Sequence, residues 1–130
     1  MKIEHVAWQV EDPVAVTNWY TQHLGLTILR KVQGIACTHF LADESGRFVI
    51  EIYHNPKIAV PDYHGQDPLQ LHLAFLADNL PDERNRLIQA GATIVEEIVT
   101  TDAGDQLLML RDPWGFPIQI VKRCNPLQSP

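Results

Sequence analysis

FVIEIYHN, residues 48–55, and its echo FPIQIVKR, residues 116–123, decide how this chain is read. Each is a strand-like alternation carrying one polar residue, Glu51 or Gln119, at a position that the flanking isoleucines mark as an inner face. Upstream of each lies a matching strand with a histidine: IEHVAWQV, residues 3–10, with His5, and LQLHLAFLA, residues 69–77, with His72. The two histidines are 67 residues apart and the Glu51–Gln119 pair 68, so the chain reads as two copies of one unit. The repeat places His5, Glu51, His72 and Gln119 at equivalent points.

Outward from those strands, residues 2–10 alternate, with Val6, Trp8 and Val10 on one face and His5, Ala7 and Gln9 on the other. Asp12-Pro13 reads as a helix N-cap followed by proline in the first turn, and Gly25 as the stop. Between them Val16, Trp19, Tyr20 and Leu24 form an apolar stripe. Strands are predicted near 26–32, 35–42 and 47–54, with Asp43-Glu44-Ser45-Gly46 as a turn. The proline-rich stretch 55–68 reads as a linker without periodicity. The second copy repeats the order: a strand at 70–77, a helix opened by Pro81 and closed by Gly91, and strands near 93–100, 105–111 and 116–122. Each half is therefore βαβββ, about 2–54 and 70–122, within one domain over 1–123. The tail from Asn125 to Pro130 reads as disordered.

Composition sets the outer bounds. At 130 residues, with 45% hydrophobic and 20% charged residues, the chain suits one globular α+β domain. A formal charge of −6 argues against nucleic acid or an anionic membrane as partner, since both need clustered Lys and Arg. No apolar run reaches the roughly 18 residues of a spanning helix, and no signal peptide is read at the N-terminus. Cys37 and Cys124 are expected to be reduced thiols in a cytoplasmic protein.

By donor chemistry, two imidazoles, a carboxylate and an amide oxygen suit a borderline divalent ion such as Zn, Ni, Co, Fe or Mn. No thiolate centre is expected, and calcium would favour an all-oxygen set. A metal-free buried polar network of the same four residues is the bland alternative. His23, His39, His54 and His64 have no counterparts in the repeat, and His54 and His64 read as exposed loop residues.

The tandem order of HVAWQVEDP (5–13), NWYTQHLGL (18–26), FVIEIYHN, LHLAFLADN (71–79) and LRDPWGFPIQIV (110–121) resembles the vicinal-oxygen-chelate superfamily. Its members include glyoxalase I, methylmalonyl-CoA epimerase, extradiol dioxygenases, fosfomycin-resistance transferases and bleomycin-binding proteins. The resemblance implies paired βαβββ modules with curled mixed sheets around a central cavity, often completed as a homodimer. It implies metal ligands at His5, Glu51, His72 and Gln119. A glutamate is usual where Gln119 stands, and an amide cannot accept a proton at neutral pH. The implied chemistry is that of a lyase or isomerase. A carboxylate abstracts a proton beside a carbonyl of a small carbonyl or thiol-adduct substrate, with a metal-stabilised enediolate, and Glu51 alone can be that base. The dioxygenase and fosfomycin-type readings weaken for want of a carboxylate at 119. A metal-free drug-binding protein of the bleomycin-resistance type is the competing expectation. Arg30, in LGLTILRK, and Asn55 match positions that glyoxalase I enzymes use for glutathione, although as residues alone they read as a strand-end charge and a turn residue.

Overall fold

The computed structural model describes residues 1–127. The chain divides into two compact units, Met1–Pro61 and Asp62–Pro130. In the first, β1 (Val6–Gln9), α1 (Pro13–His23), β2 (Thr27–Val32), β3 (Thr38–Ala42) and β4 (Val49–Tyr53) form an open sheet of order β1-β4-β3-β2. In the second, β5 (Leu73–Leu76), α2 (Leu80–Gln89), β6 (Thr93–Thr100), β7 (Gln106–Arg111) and β8 (Pro117–Lys122) repeat it as β5-β8-β7-β6. Both sheets are mixed, because β1 runs parallel to β4 and β5 parallel to β8 while the other neighbours are antiparallel. The α+β architecture of tandem βαβββ modules is thus the one read from the repeat.

Local signals account for the element ends. The Asp12 side chain accepts a hydrogen bond from the Ala15 amide at 3.0 Å and caps α1. Gly25, at φ 71°, makes the left-handed exit just past the helix end. In α2 the cap is Asn79, whose side chain accepts from the Asp82 amide at 3.1 Å, so the helix starts at Leu80 with Pro81 inside its first turn. Each helix covers one face of its own sheet. Val16 and Tyr20 of α1 are buried with Leu41, Ile50 and Ile52, and Leu80 and Leu87 of α2 with Leu108, Leu110 and Ile118. Burying one such Leu or Ile side chain stabilises the fold by about 1.5–3 kcal/mol. The isoleucines beside Glu51 therefore face the helix, and alternation turns Glu51 to the opposite side of the sheet.

Three expectations need correction. The first strand of each half is shorter than the alternation suggests, and His5 and His72 lie just before β1 and β5. Both are edge strands whose single neighbour sets their length: Val6–Gln9 pairs with Ile50–Tyr53, and Leu73–Leu76 with Ile118–Val121. The stretch 55–68 is not featureless. It holds a 3-10 turn at Tyr63–Gly65, with Tyr63 buried edge-on against Phe116 at a centroid distance of 5.2 Å. His54 is half-buried, its Nδ1 donating to the Val10 carbonyl at 2.9 Å, whereas His64 is exposed as expected. Of the C-terminal tail, residues 125–127 are exposed and carry neither helix nor strand, and 128–130 lie outside the described residues.

Candidate metal and proton-transfer site

In the first unit the strand register sets Ala7, Glu51, Phe40 and Arg30 in one row across β1, β4, β3 and β2. In the second, Ala74, Gln119, Met109 and Glu96 form the corresponding row across β5, β8, β7 and β6. His5 stands two residues before Ala7, and His72 two before Ala74. The sequence equivalence is therefore a structural one, position for position, and the residues differ at Glu51 against Gln119, Phe40 against Met109 and Arg30 against Glu96.

Within the first unit the predicted pair meets: His5 Nε2 lies 2.9 Å from Glu51 Oε2. Their side chains are 32% and 22% exposed, open enough for a small molecule to reach them. On the other side of the ring, His5 Nδ1 bonds the carboxylate of Glu4, and Phe40 meets the imidazole edge-on at 5.7 Å. The Glu4 hydrogen bond is the chief cause that raises the His5 pKa above its ordinary 6.5. Desolvation opposes it, and the charges of Glu4 and Glu51 and the Glu51 hydrogen bond reinforce it.

In the second unit His72 Nδ1 is 2.9 Å from the Pro68 carbonyl. A carbonyl only accepts, so in the neutral ring the proton sits on Nδ1 and Nε2 keeps its lone pair. Gln119 is half-buried on β8.

In the first unit, His5 Nε2 and Glu51 Oε2 fit two ligand positions of a divalent ion. Two ligands at right angles with bonds of about 2.1 Å stand about 3.0 Å apart, which is close to the observed separation of His5 Nε2 and Glu51 Oε2. An acceptor on Nδ1 that fixes the ring and leaves Nε2 for the metal is the usual outer support of a ligating histidine, and both His5 and His72 have one. Among the described residues, however, no group of three or more His, Cys, Asp and Glu side chains converges as a metal site. Glu4 cannot be the third donor beside His5 and Glu51, because it occupies the opposite ring nitrogen.

Glu4, Phe40 and Pro68 escaped the sequence reading. Glu4 adjoins His5 in the chain, and Asp67-Pro68 is a recognisable turn opening, so both had a local signal. Phe40 had none, since only strand pairing brings it beside Glu51. Of the two residues read for glutathione, Asn55 is engaged as a turn residue, its side chain accepting from the Lys57 amide and its own amide donating to Gln9. Arg30 lies inside β2, not at its end, and lines a cavity of about 160 Å³ with Glu4, Leu29, Phe40 and Val49.

The family model of the Glyoxalase/Bleomycin resistance protein/Dioxygenase superfamily matches residues 2–120. The chain belongs to this superfamily. One relative of this superfamily member is a probable lactoylglutathione lyase of Vibrio cholerae serotype O1, 27% identical over 127 residues, covering 93% of this chain and 90% of that protein. A glyoxalase family protein from Bacillus cereus shares the fold at a TM-score of 0.78 and 18% identity, over 94% of this chain and 93% of that one. A glyoxalase I mutant from Zea mays superposes at 0.76 and 22% identity, over 95% of this chain but 46% of the maize protein. Among the described residues no helix is long and apolar enough to cross a membrane.

Proposed function

We propose that this superfamily member is a metal-dependent lyase or isomerase of the glyoxalase type, acting on a small carbonyl compound or thiol adduct. The observation that carries the reading is the 2.9 Å pairing of His5 Nε2 with Glu51 Oε2, on a half-open sheet face. The name of the Vibrio cholerae relative supports the same class of reaction. His5, Glu51, His72 and Gln119 are the proposed ligands of a divalent ion. When bound, the ion supplies polarisation of a carbonyl oxygen of the substrate. Glu51 removes the proton from the carbon beside that carbonyl and returns it to the neighbouring carbon, so one base serves both transfers. Gln119 can bind but cannot take part in proton transfer. Glu4 and the Pro68 carbonyl hold the two imidazoles in place. The reading includes a cytoplasmic homodimer with a small-molecule substrate and no nucleic-acid or membrane partner.

Metal analysis of protein purified without chelator, followed by Glu51→Gln, tests this. A bound divalent ion is expected, together with turnover that falls by about 10²–10⁴ in the variant, the usual contribution of a general base. Absence of both bound metal and metal-dependent turnover would sink the proposal, as would a Glu51→Gln protein that keeps its metal and full activity. One feature favours a second reading, a metal-free binder of small aromatic or cationic molecules: Gln119 stands where a second carboxylate is usual. Tight binding by apo-protein without any turnover would decide for it.

A further inference from the structure

His5 and His72 occupy the same register position, yet they are held differently. His5 takes its Nδ1 partner from the adjacent side chain, Glu4. His72 takes it from a main-chain carbonyl in a tight turn, so its orientation depends on whatever fixes that turn.

The turn is Asp67-Pro68-Leu69-Gln70. The Gln70 amide donates to the Asp67 carbonyl at 3.0 Å, and the Leu69 amide to Asp67 Oδ1 at 2.9 Å. Aspartate at the first position and proline at the second are the residues this geometry favours. Immediately before it, the chain is clamped by Arg111 at the end of β7. Arg111 Nη1 donates to the Tyr63 carbonyl at 2.7 Å and to the Gly115 carbonyl at 3.0 Å, and Nη2 donates to the Gln66 carbonyl at 2.7 Å. One guanidinium thus ties both ends of the segment 63–66 to the β7–β8 turn. Charge-assisted bonds of this kind are about twice as strong as neutral ones. The His64 ring lies directly over Gly115, where a β-carbon would stand 2.6 Å from it, so the segment is seated as well as tied. Two residues beyond Gln66 comes the carbonyl that accepts from His72.

We infer that Arg111 is a positioning residue for His72: by clamping residues 63–66 it holds the Pro68 carbonyl on Nδ1, which keeps the imidazole proton there and presents a bare Nε2. Lysine cannot replace it, since a point ammonium lacks the planar fork that reaches three carbonyls. The inference rests on the metal reading only for the use made of that Nε2; the tautomer itself belongs to the metal-free protein.

The test is long-range ¹H–¹⁵N correlation of the histidine rings in the metal-free full chain, at a pH where the imidazoles are neutral. In the wild type, the His72 proton is expected on Nδ1. In Arg111→Gln the Nδ1–H to Nε2–H ratio of His72 is expected to fall about fivefold, the value of one ordinary hydrogen bond, while His5 stays unchanged. Arg111→Lys is expected to restore less than half of the preference. Asp67→Ala loosens the same turn from an exposed side chain, so it serves if the arginine variants fail to fold, and the same fall is expected. A wild-type His72 with its proton on Nε2 would overturn the inference. So would an unchanged tautomer ratio in folded Arg111→Gln or, failing that, in Asp67→Ala. Loss of metal affinity without a tautomer change would count against Arg111 while leaving the metal site standing.

Discussion

Replacing Gln9 with alanine removes the tie that secures the chain beyond the Glu51 strand. Gln9 is buried, at 6% exposure. Its Nε2 donates to the carbonyls of Ile58 and Ala59, both at 2.9 Å, and its Oε1 accepts from the Asn55 amide at 2.9 Å. One side chain therefore satisfies three main-chain groups of the segment after β4. Each such bond contributes about 0.5–1.5 kcal/mol net, so the loss of all three in Gln9→Ala is expected to cost about 3 kcal/mol. With a urea m-value of about 2 kcal/mol/M for a domain of this size, the midpoint falls by about 1.5 M at unchanged slope. Amide exchange should accelerate selectively at residues 55–59. Gln9→Glu sharpens the test, because it keeps the acceptor for Asn55 but sets a carboxylate oxygen against two carbonyls. It is expected to be at least as destabilised at neutral pH and to recover as the carboxyl protonates in acid. A midpoint shift under about 0.3 M for Gln9→Ala, with unaltered exchange at 55–59, would refute the argument.

Two further outcomes follow from the geometry. The folded pKa of His5 is raised above 6.5, chiefly by Glu4, so its contribution to stability is fully present below that value and is lost as pH rises through the folded pKa. Glu4→Gln should lower the His5 midpoint in an NMR titration more than Glu51→Gln does; the reverse order would contradict the assignment. Gly115 has φ 90° and lies under the His64 ring, whereas Gly25, at φ 71°, faces open space. Both alanine substitutions carry a backbone cost of about 1 kcal/mol, and Gly115→Ala should cost roughly 1–2 kcal/mol more, read from urea midpoints. Equal losses would mean that His64 gives way freely.

The sequence by itself determined the repeat and hence the fold. Period-two alternation around Glu51 and Gln119, the Asp12-Pro13 cap and the glycine stops are local, and local chemistry is legible without coordinates. The near-equal spacing of the two histidines and of Glu51 and Gln119 marked their equivalence, which the register of Ala7 with Glu51 and of Ala74 with Gln119 bears out. What lies beside those residues was decided by tertiary structure. Phe40 reaches His5 only because β3 pairs with β4, and Arg111 reaches Tyr63 and Gln66 across more than forty residues of chain. No periodicity encodes such contacts. The arginine contacts arise where a side chain with several donors meets main-chain carbonyls outside the sheet, and only the folded chain brings the two together.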